Sequence, residues 1–180
     1  MVRLRKMNDR SPRTRLLLSC LAFGWVVLAL TLLPSRVLQA TPRLWEVLPK
    51  ATLTDVKGAS VTIPGDFKGK VTVIHFFATW CTYCPKEVAA LESLLHKYGD
   101  RGLIACSVDV GESKDKVASF AADQRISYPL LLDPSSSAAR QYGVTGIPTT
   151  YILDRSGVIR FRILGEITLE GLDRIVRTLL

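Results

Sequence analysis

The sequence predicts an α/β domain with parallel strands in its sheet, preceded by an N-terminal apolar segment. Three observations predict this. The stretches "GKVTVIHFFAT" (residues 69–79) and "GLIACSVDV" (102–110) are continuous apolar, β-branched runs, as expected of buried strands. Between them Val88, Leu91, Leu94, Leu95 and Tyr98 recur at helical spacing, and strands alternating with helices imply a sheet with parallel members. With 180 residues, 48% of them apolar, the chain can bury a core, and its length suits one domain plus a short extension.

The elements follow in chain order. Residues 1–15 form a basic segment containing Arg3, Arg5, Lys6, Arg10, Arg13 and Arg15. Residues 16–35, "LLLSCLAFGWVVLALTLLPS", carry no charge and are long enough to span a bilayer as a helix. Positive charge ahead of such a span predicts a cytoplasmic N-terminus and a remainder outside the cytoplasm. The run is longer than the apolar region of most cleaved signal peptides. The nearest small-residue site, Leu38-Gln39-Ala40, has a bulky Leu where a small residue is wanted. An uncleaved signal anchor is therefore expected. Cys20, early in this run, reads as an ordinary small apolar residue of the span. A linker is expected over residues 36–50, punctuated by Pro42 and Pro49, and a folded domain over 51–180.

Within that domain, "ATLTDVKGASVTI" alternates around Lys57-Gly58 and predicts a β-hairpin. The strand over 69–79 leads into a helix over 82–98, ended by Gly99 and Gly102, and then into the strand over 102–110. A helix is expected over 113–124, a short strand in "YPLLLD" and a short helix over 135–142. "TTYILD" and "VIRFRIL", joined by Arg155-Ser156-Gly157, predict an antiparallel hairpin. Leu172, Ile175, Val176 and Leu179 predict a last helix over 168–180 with Thr168 as its N-cap.

The charge pattern excludes a function class. The formal net charge is +8, but residues 1–43 hold eight Lys/Arg against one acid, Asp9. Residues 44–180 hold sixteen Lys/Arg and fifteen Asp/Glu. The basic excess is thus an N-terminal feature and not a phosphate-binding face, and no nucleic-acid partner is expected.

The stretch "ATWCTYCPKE" (78–87) carries the chemistry. Cys81 is placed just past a buried strand, at the start of a helix, where unpaired amide groups stabilise a thiolate and lower its pKa. Cys84 follows one helical turn on, close enough for a disulfide. Cys81 can then attack a partner disulfide and Cys84 resolve the mixed disulfide. Pro85 is tolerated in the first helical turn. Three other uses of the pair stand beside this one. A stabilising bridge across so short a loop would restrict the unfolded chain little. A zinc site wants four ligands, and the sequence offers only His75 and His96 and no second C-x-x-C. Cu(I) on two thiolates is chemically possible. Pro148, after Gly146-Ile147 and just before a predicted strand, suggests a cis Ile147–Pro148 bond at the turn into that strand.

"FFATWCTYCPKE" and "GIPTTYILD", with the order of strands and helices, resemble the thioredoxin superfamily. Within it they are most similar to membrane-anchored TlpA/ResA/CcmG(DsbE)-like thiol–disulfide oxidoreductases, over roughly residues 45–180. The resemblance implies a thioredoxin-like fold: a central mixed sheet flanked by helices, an N-terminal β-hairpin, and a helix–strand insertion matching residues 113–132. It implies an extracytoplasmic or periplasmic reductant of client proteins with cysteine pairs, such as apocytochrome c or copper-site proteins. It also implies a membrane electron donor of the DsbD/CcdA type and no cofactor beyond a redox-active Cys81–Cys84 disulfide. By the same resemblance Cys81 matches the exposed nucleophile and Cys84 the buried resolving thiol. Trp80 matches the tryptophan before the pair and Pro148 the cis-proline beside it, with Ile147 preceding it in the substrate-binding loop. Glu87 matches an acidic residue thought to tune the buried thiol, although helical spacing alone would also allow an exposed glutamate.

His75 departs from the family pattern, which has aspartate or asparagine there. An imidazole titrating near neutral pH could relay a proton for Cys84, or His75 could be a neutral, hydrogen-bonded core residue. Ile147 is thioredoxin-like, where the cytochrome-maturation branch often has threonine or valine. Cys106 is expected to be an inert core thiol, His96 and Lys86 to be exposed, and Phe76, Phe77 and Tyr83 to pack in the core or at the rim. An oxidase of the DsbA kind and a Cu(I)-binding assembly factor are the alternative functions. A peroxidase of the peroxiredoxin type would need a Pro-x-x-x-Thr-x-x-Cys pattern that residues 74–81 lack.

Overall fold

The two apolar runs form adjacent parallel strands inside one sheet, because each has enough apolar surface to be covered on both faces. The structure is a computed structural model that describes residues 41–180. Its strands are β1 (Ala51–Asp55), β2 (Ser60–Ile63), β3 (Val71–Phe77), β4 (Leu103–Val110), β5 (Leu130–Asp133), β6 (Thr149–Leu153) and β7 (Ile159–Leu164). Its helices are α1 (Cys84–Tyr98), α2 (Lys114–Asp123), α3 (Ser137–Gln141) and α4 (Leu169–Arg177). The strands lie in the order β2-β1-β5-β4-β3-β6-β7. β3, β4 and β5 run parallel, and the other neighbours are antiparallel. This is a thioredoxin-like mixed sheet, with α2 and β5 lying between β4 and α3 in the chain.

Alternation along β3 assigns the two faces of the sheet. Val71 and Val73 pack with Ala90, Leu91 and Leu94 of α1 and with Leu172 and Val176 of α4. Ile74 and Phe76 face the other way, onto Leu48, Ile63, Phe67, Tyr142 and Tyr151. All seven residues of β3 are buried. The helix edges lie within three residues of the expected ones, and the causes of the differences are local. Thr168 caps α4 by accepting a hydrogen bond from the Gly171 N–H, but the helix stops at Arg177. α1 starts at Cys84 and not at residue 82, because Thr82 and Tyr83 form a turn in which the Cys84 N–H donates to the Cys81 carbonyl.

The expected linker needs correction at its C-terminal end. Residues 43–50 are packed onto the domain. The Trp45 N–H donates to the Ile159 carbonyl, the Ile159 N–H donates to the Glu46 carbonyl, and Leu48 is buried in the core. Tyr142 fastens the segment by donating its hydroxyl to the Pro49 carbonyl at 2.7 Å. The reason is hydrophobic: Leu48 covers a face of the sheet that α1 and α4 leave open. Tyr142→Phe should therefore cost about 1–2 kcal/mol, read as a lower urea midpoint with an unchanged m-value. Among the described residues no helix is long and apolar enough to cross a membrane. The basic segment 1–15, the expected span 16–35 and Cys20 lie outside the described residues.

Candidate active site

β3 ends at Phe77, and the chain leaves the centre of the sheet through Ala78–Tyr83 before α1 begins. Cys81 and Cys84 are joined by a disulfide across this turn, with their Cα atoms 5.5 Å apart. Cys84 is completely buried, while Cys81 retains 6% exposure. Cys81 thus sits just before the helix and not within it, and its N–H donates to the Ala78 carbonyl. Trp80 and Tyr83 flank the pair as exposed rings, at 71% and 55%. The Ile147–Pro148 peptide bond is cis, and Ile147 packs against the cluster containing Phe77, Cys81 and Cys84. A shallow groove of about 220 Å³ runs beside Trp80, lined by Val110, Val144, Thr145, Gly146 and Ile147. The structure therefore brings Trp80, Cys81, Cys84, Ile147 and Pro148 together.

Beneath the disulfide lies a row of polar side chains. Register places Ser107 of β4 and Thr150 of β6 directly beside His75 of β3, one on each side. Glu87 stands one helical turn after Cys84, on the same side of α1, and reaches down onto this row. It is 1% exposed, so the exposed-glutamate possibility is corrected: the helix face that carries Cys84, Val88 and Leu91 is the buried one. Its Oε2 accepts the Thr150 hydroxyl at 3.2 Å and lies 3.4 Å from His75 Nε2. Its Oε1 accepts the Ile167 N–H at 3.1 Å. On the far side, His75 Nδ1 lies 3.2 Å from Ser107 Oγ, which is 3.2 Å from the Tyr128 hydroxyl. His75 is fully buried, and its Nε2 has no hydrogen-bond partner other than this approach to Glu87.

Burial dominates the titration of both groups. It lowers His75 to about 3, so the imidazole is neutral at physiological pH. It raises Glu87 to about 7, against the opposing hydrogen bonds from Ile167 and Thr150. A carboxyl poised there can take or give a proton close to Cys84 at neutral pH.

A second acidic group holds the loop itself. Glu112 accepts both the N–H and the hydroxyl of Thr79, two residues before Cys81. Its own N–H donates to Asp109 Oδ2 at 2.9 Å. Burial raises Asp109 to about 7. Burial also acts on Glu112 in the same sense, but the hydrogen bonds from Thr79 and Asp109 outweigh it and hold that carboxyl below its ordinary value. Glu112→Ala leaves the Thr79 N–H without its acceptor and should cost about 1–3 kcal/mol in urea unfolding of the oxidised protein.

Ser107, Thr150, Tyr128, Thr79 and Glu112 were not singled out from the sequence. The one available signal was Ser107, a hydroxyl inside a mostly apolar strand. The remaining residues behave as expected. Cys106 is buried and free, with burial pushing its thiol above the ordinary range. His96 is exposed, and Lys86 is exposed with its Nζ 3.7 Å from Glu166.

Comparison with known proteins fits this geometry. Residues 46–162 match the AhpC/TSA family. The chain belongs to the AhpC/TSA family. It is 30% identical over 129 residues to the thiol–disulfide oxidoreductase ResA of Bacillus thuringiensis subsp. konkukian, covering 72% of this chain and 74% of that one. It is 34% identical over 128 residues to the thioredoxin-like protein YneN of Bacillus subtilis, covering 70% and 74%. Among solved structures it superposes on a thiol:disulfide interchange protein of the thioredoxin family from Chlorobium tepidum TLS. That match has a TM-score of 0.68 and 27% identity, covering 78% of this chain and 99% of that one. A Chlorobium tepidum protein assigned as DsbE shares the fold, with a TM-score of 0.72 and 24% identity over 77% of this chain and 98% of that one. As a ResA-related member of the AhpC/TSA family, the protein is a thiol–disulfide oxidoreductase.

Proposed function

We propose that this protein is a membrane-anchored, extracytoplasmic reductant of client disulfides, of the kind that serves cytochrome c maturation or copper-site assembly. It would draw electrons from a membrane donor of the DsbD/CcdA type. One observation carries the reading: Cys81 is the sulfur nearest the surface, and Cys84 and Glu87 are buried together behind it on one face of α1. In the reduced protein the Cys81 thiolate attacks one sulfur of a client disulfide, and the other client sulfur leaves with the electron pair. Cys84 then loses its proton to Glu87, and its thiolate attacks Cys81 Sγ. This forms the Cys81–Cys84 bond and expels the second client thiolate, which is protonated by solvent. The client gains two electrons and the protein loses two. Trp80 and Ile147 line the apolar rim against which an extended client segment lies, and the buried Pro148 leads from it into β6. The uncharged run over 16–35 supplies the anchor.

The deciding measurement is the reduction potential of the Cys81–Cys84 couple, equilibrated against glutathione. A value near about −270 mV or lower fits a reductant that must be recharged across the membrane. A value near about −120 mV would make the protein an oxidase of the DsbA kind and overturn the proposal. Copper titration of the reduced protein addresses the assembly-factor alternative: tight stoichiometric Cu(I) binding would favour it over the reductant.

A further inference from the structure

We propose that the end of the domain opposite Cys81 docks on an anionic membrane surface, with Leu44, Trp45 and Val47 entering the headgroup layer and Lys50 and Lys68 meeting lipid phosphates. This rests on the membrane anchor proposed above. The three apolar side chains are exposed at 48%, 67% and 62%. Single exposed apolar residues are ordinary, but three of the four residues 44–47, one of them a tryptophan, make a patch that calls for a partner. The backbone beneath them is fixed by the sheet. The Trp45 N–H donates to the Ile159 carbonyl, and Val47 bridges to Val158. Trp45 has a φ of 72°, a left-handed conformation that bulky residues seldom adopt. The Arg160 guanidinium covers one face of its ring, 4.4 Å from the ring centroid. An indole beside an arginine suits a lipid headgroup layer, where the apolar ring and its polar N–H are both accommodated.

A pocket of about 250 Å³ adjoins the patch. The buried Leu48 and Phe67 line it together with the exposed Val47, Lys50 and Lys68. Neither lysine forms an ion pair among the described residues. The acids nearby are held by backbone donors of their own: Glu46 accepts the Arg43 N–H, Asp66 the Thr62 N–H and Asp154 the Ser156 N–H. Two unpaired ammonium groups at the edge of an apolar depression suit a phosphate attached to an acyl chain. A free phosphate would account for the lysines but not for Trp45. The sequence brings a bilayer within reach. Leu44 follows Ser35, the last residue of the uncharged run, by nine residues, which extend to about 30 Å at most.

The docked face and the dithiol lie at opposite ends of β3. Thr72, near the start of the strand, lines the same pocket as Lys50 and Lys68. The groove beside Trp80 lies past the other end, where Phe77 pairs with Asp109 and Phe76 with Thr149. From Thr72 to Phe77 alone the strand rises about 17 Å. Docked in this way, the domain holds Cys81 clear of the lipid and turned toward clients in the aqueous phase. The exposed rings of Trp80 and Tyr83 stay at the client end.

The test uses the full-length protein in vesicles of phosphatidylcholine, with and without phosphatidylglycerol. Trp25→Phe and Trp80→Phe together leave Trp45 as the only indole. Its fluorescence should be quenched by lipids spin-labelled at the headgroup. It should also become severalfold less accessible to acrylamide when phosphatidylglycerol is present. Lys50→Gln and Lys68→Gln should each weaken the docking about fivefold, and added salt should weaken it too. A bimane label on Cys81, in a Cys20→Ser, Cys84→Ser background, should escape the same lipid quencher. Trp45 open to acrylamide and untouched by the lipid quencher in phosphatidylglycerol vesicles would overturn the docking while leaving the anchor intact. Quenching of the bimane but not of Trp45 would reverse the orientation and overturn it as well. Trp45 shielded equally in detergent, and more so at higher protein concentration, would make this face an interface between copies and not a lipid surface. Full-length protein that fails to float with vesicles of either composition would overturn the anchor, and the docking with it. Matching urea midpoints show that the substitutions have left the fold in place.

Discussion

Cys84→Ser should convert the protein into a trap, accumulating client proteins as mixed disulfides on Cys81. Cys81→Ser should lose disulfide turnover by about 10³-fold or more and trap nothing. The asymmetry follows from position. The Cα atoms are 5.5 Å apart and the sulfurs are bonded across the turn, but only Cys81 reaches the surface. On the proposed reading, a client disulfide held by an extended segment against Trp80 and Ile147 would meet Cys81 first. Resolution needs the second thiol, and a serine hydroxyl cannot displace a thiolate under these conditions. Cys106 cannot substitute, because it is fully buried and its thiol is pushed above the ordinary range. Non-reducing electrophoresis with mass spectrometry of the adduct checks the prediction. Clients trapped equally well by Cys81→Ser would reverse the assignment of the two thiols.

Glu87→Gln should change how stability depends on pH, by about 3 kcal/mol across its window. The folded carboxyl sits at about 7 against a model value of 4.5, because burial penalises the charged form. Between those values the folded protein holds a proton that the unfolded chain has released. The contribution is therefore fully present below about pH 4.5 and is lost as pH rises through about 7. Wild type should lose stability over this interval relative to Glu87→Gln, which has no proton to give up. Asp109 is raised into the same range, and His75 is lowered and acts in the opposite sense, but both are present in the two proteins and the comparison subtracts them. Paired urea titrations of the oxidised forms across this range provide the check. Parallel pH curves would show that Glu87 is not held protonated. In turnover the same substitution should abolish the part of the pH profile governed by a group near 7, since glutamine cannot accept the Cys84 proton.

Much of the site was legible because its signals are local. The C-x-x-C spacing, the proline in the first turn of α1, and Pro148 ahead of β6 are short-range patterns. The structure places Cys81–Cys84 and the cis Ile147–Pro148 bond where those patterns put them. The helix faces were legible too, because Leu91 and Leu94 repeat at the helical period. Glu87 was ambiguous for the same reason: its position on α1 is certain from spacing, but which side of the helix is covered depends on what lies opposite. The docking of residues 43–50 was missed because Trp45 and Leu48 find their partners at Ile159 and in the far core, and no local pattern encodes those distances.

By itself, then, the sequence determined the α/β order, the dithiol and the proline loop, since each depends on periodicity or spacing within a few residues. Only the tertiary structure decided the register that sets Ser107, His75 and Thr150 abreast and lowers Glu87 onto them. Strand register is specified by pairing between segments more than thirty residues apart in sequence, as the His75–Ser107 contact is. A polar row of that kind exists only once β3, β4, β6 and α1 have packed together. Its burial, which is what moves both titrations, is a property of the assembled core.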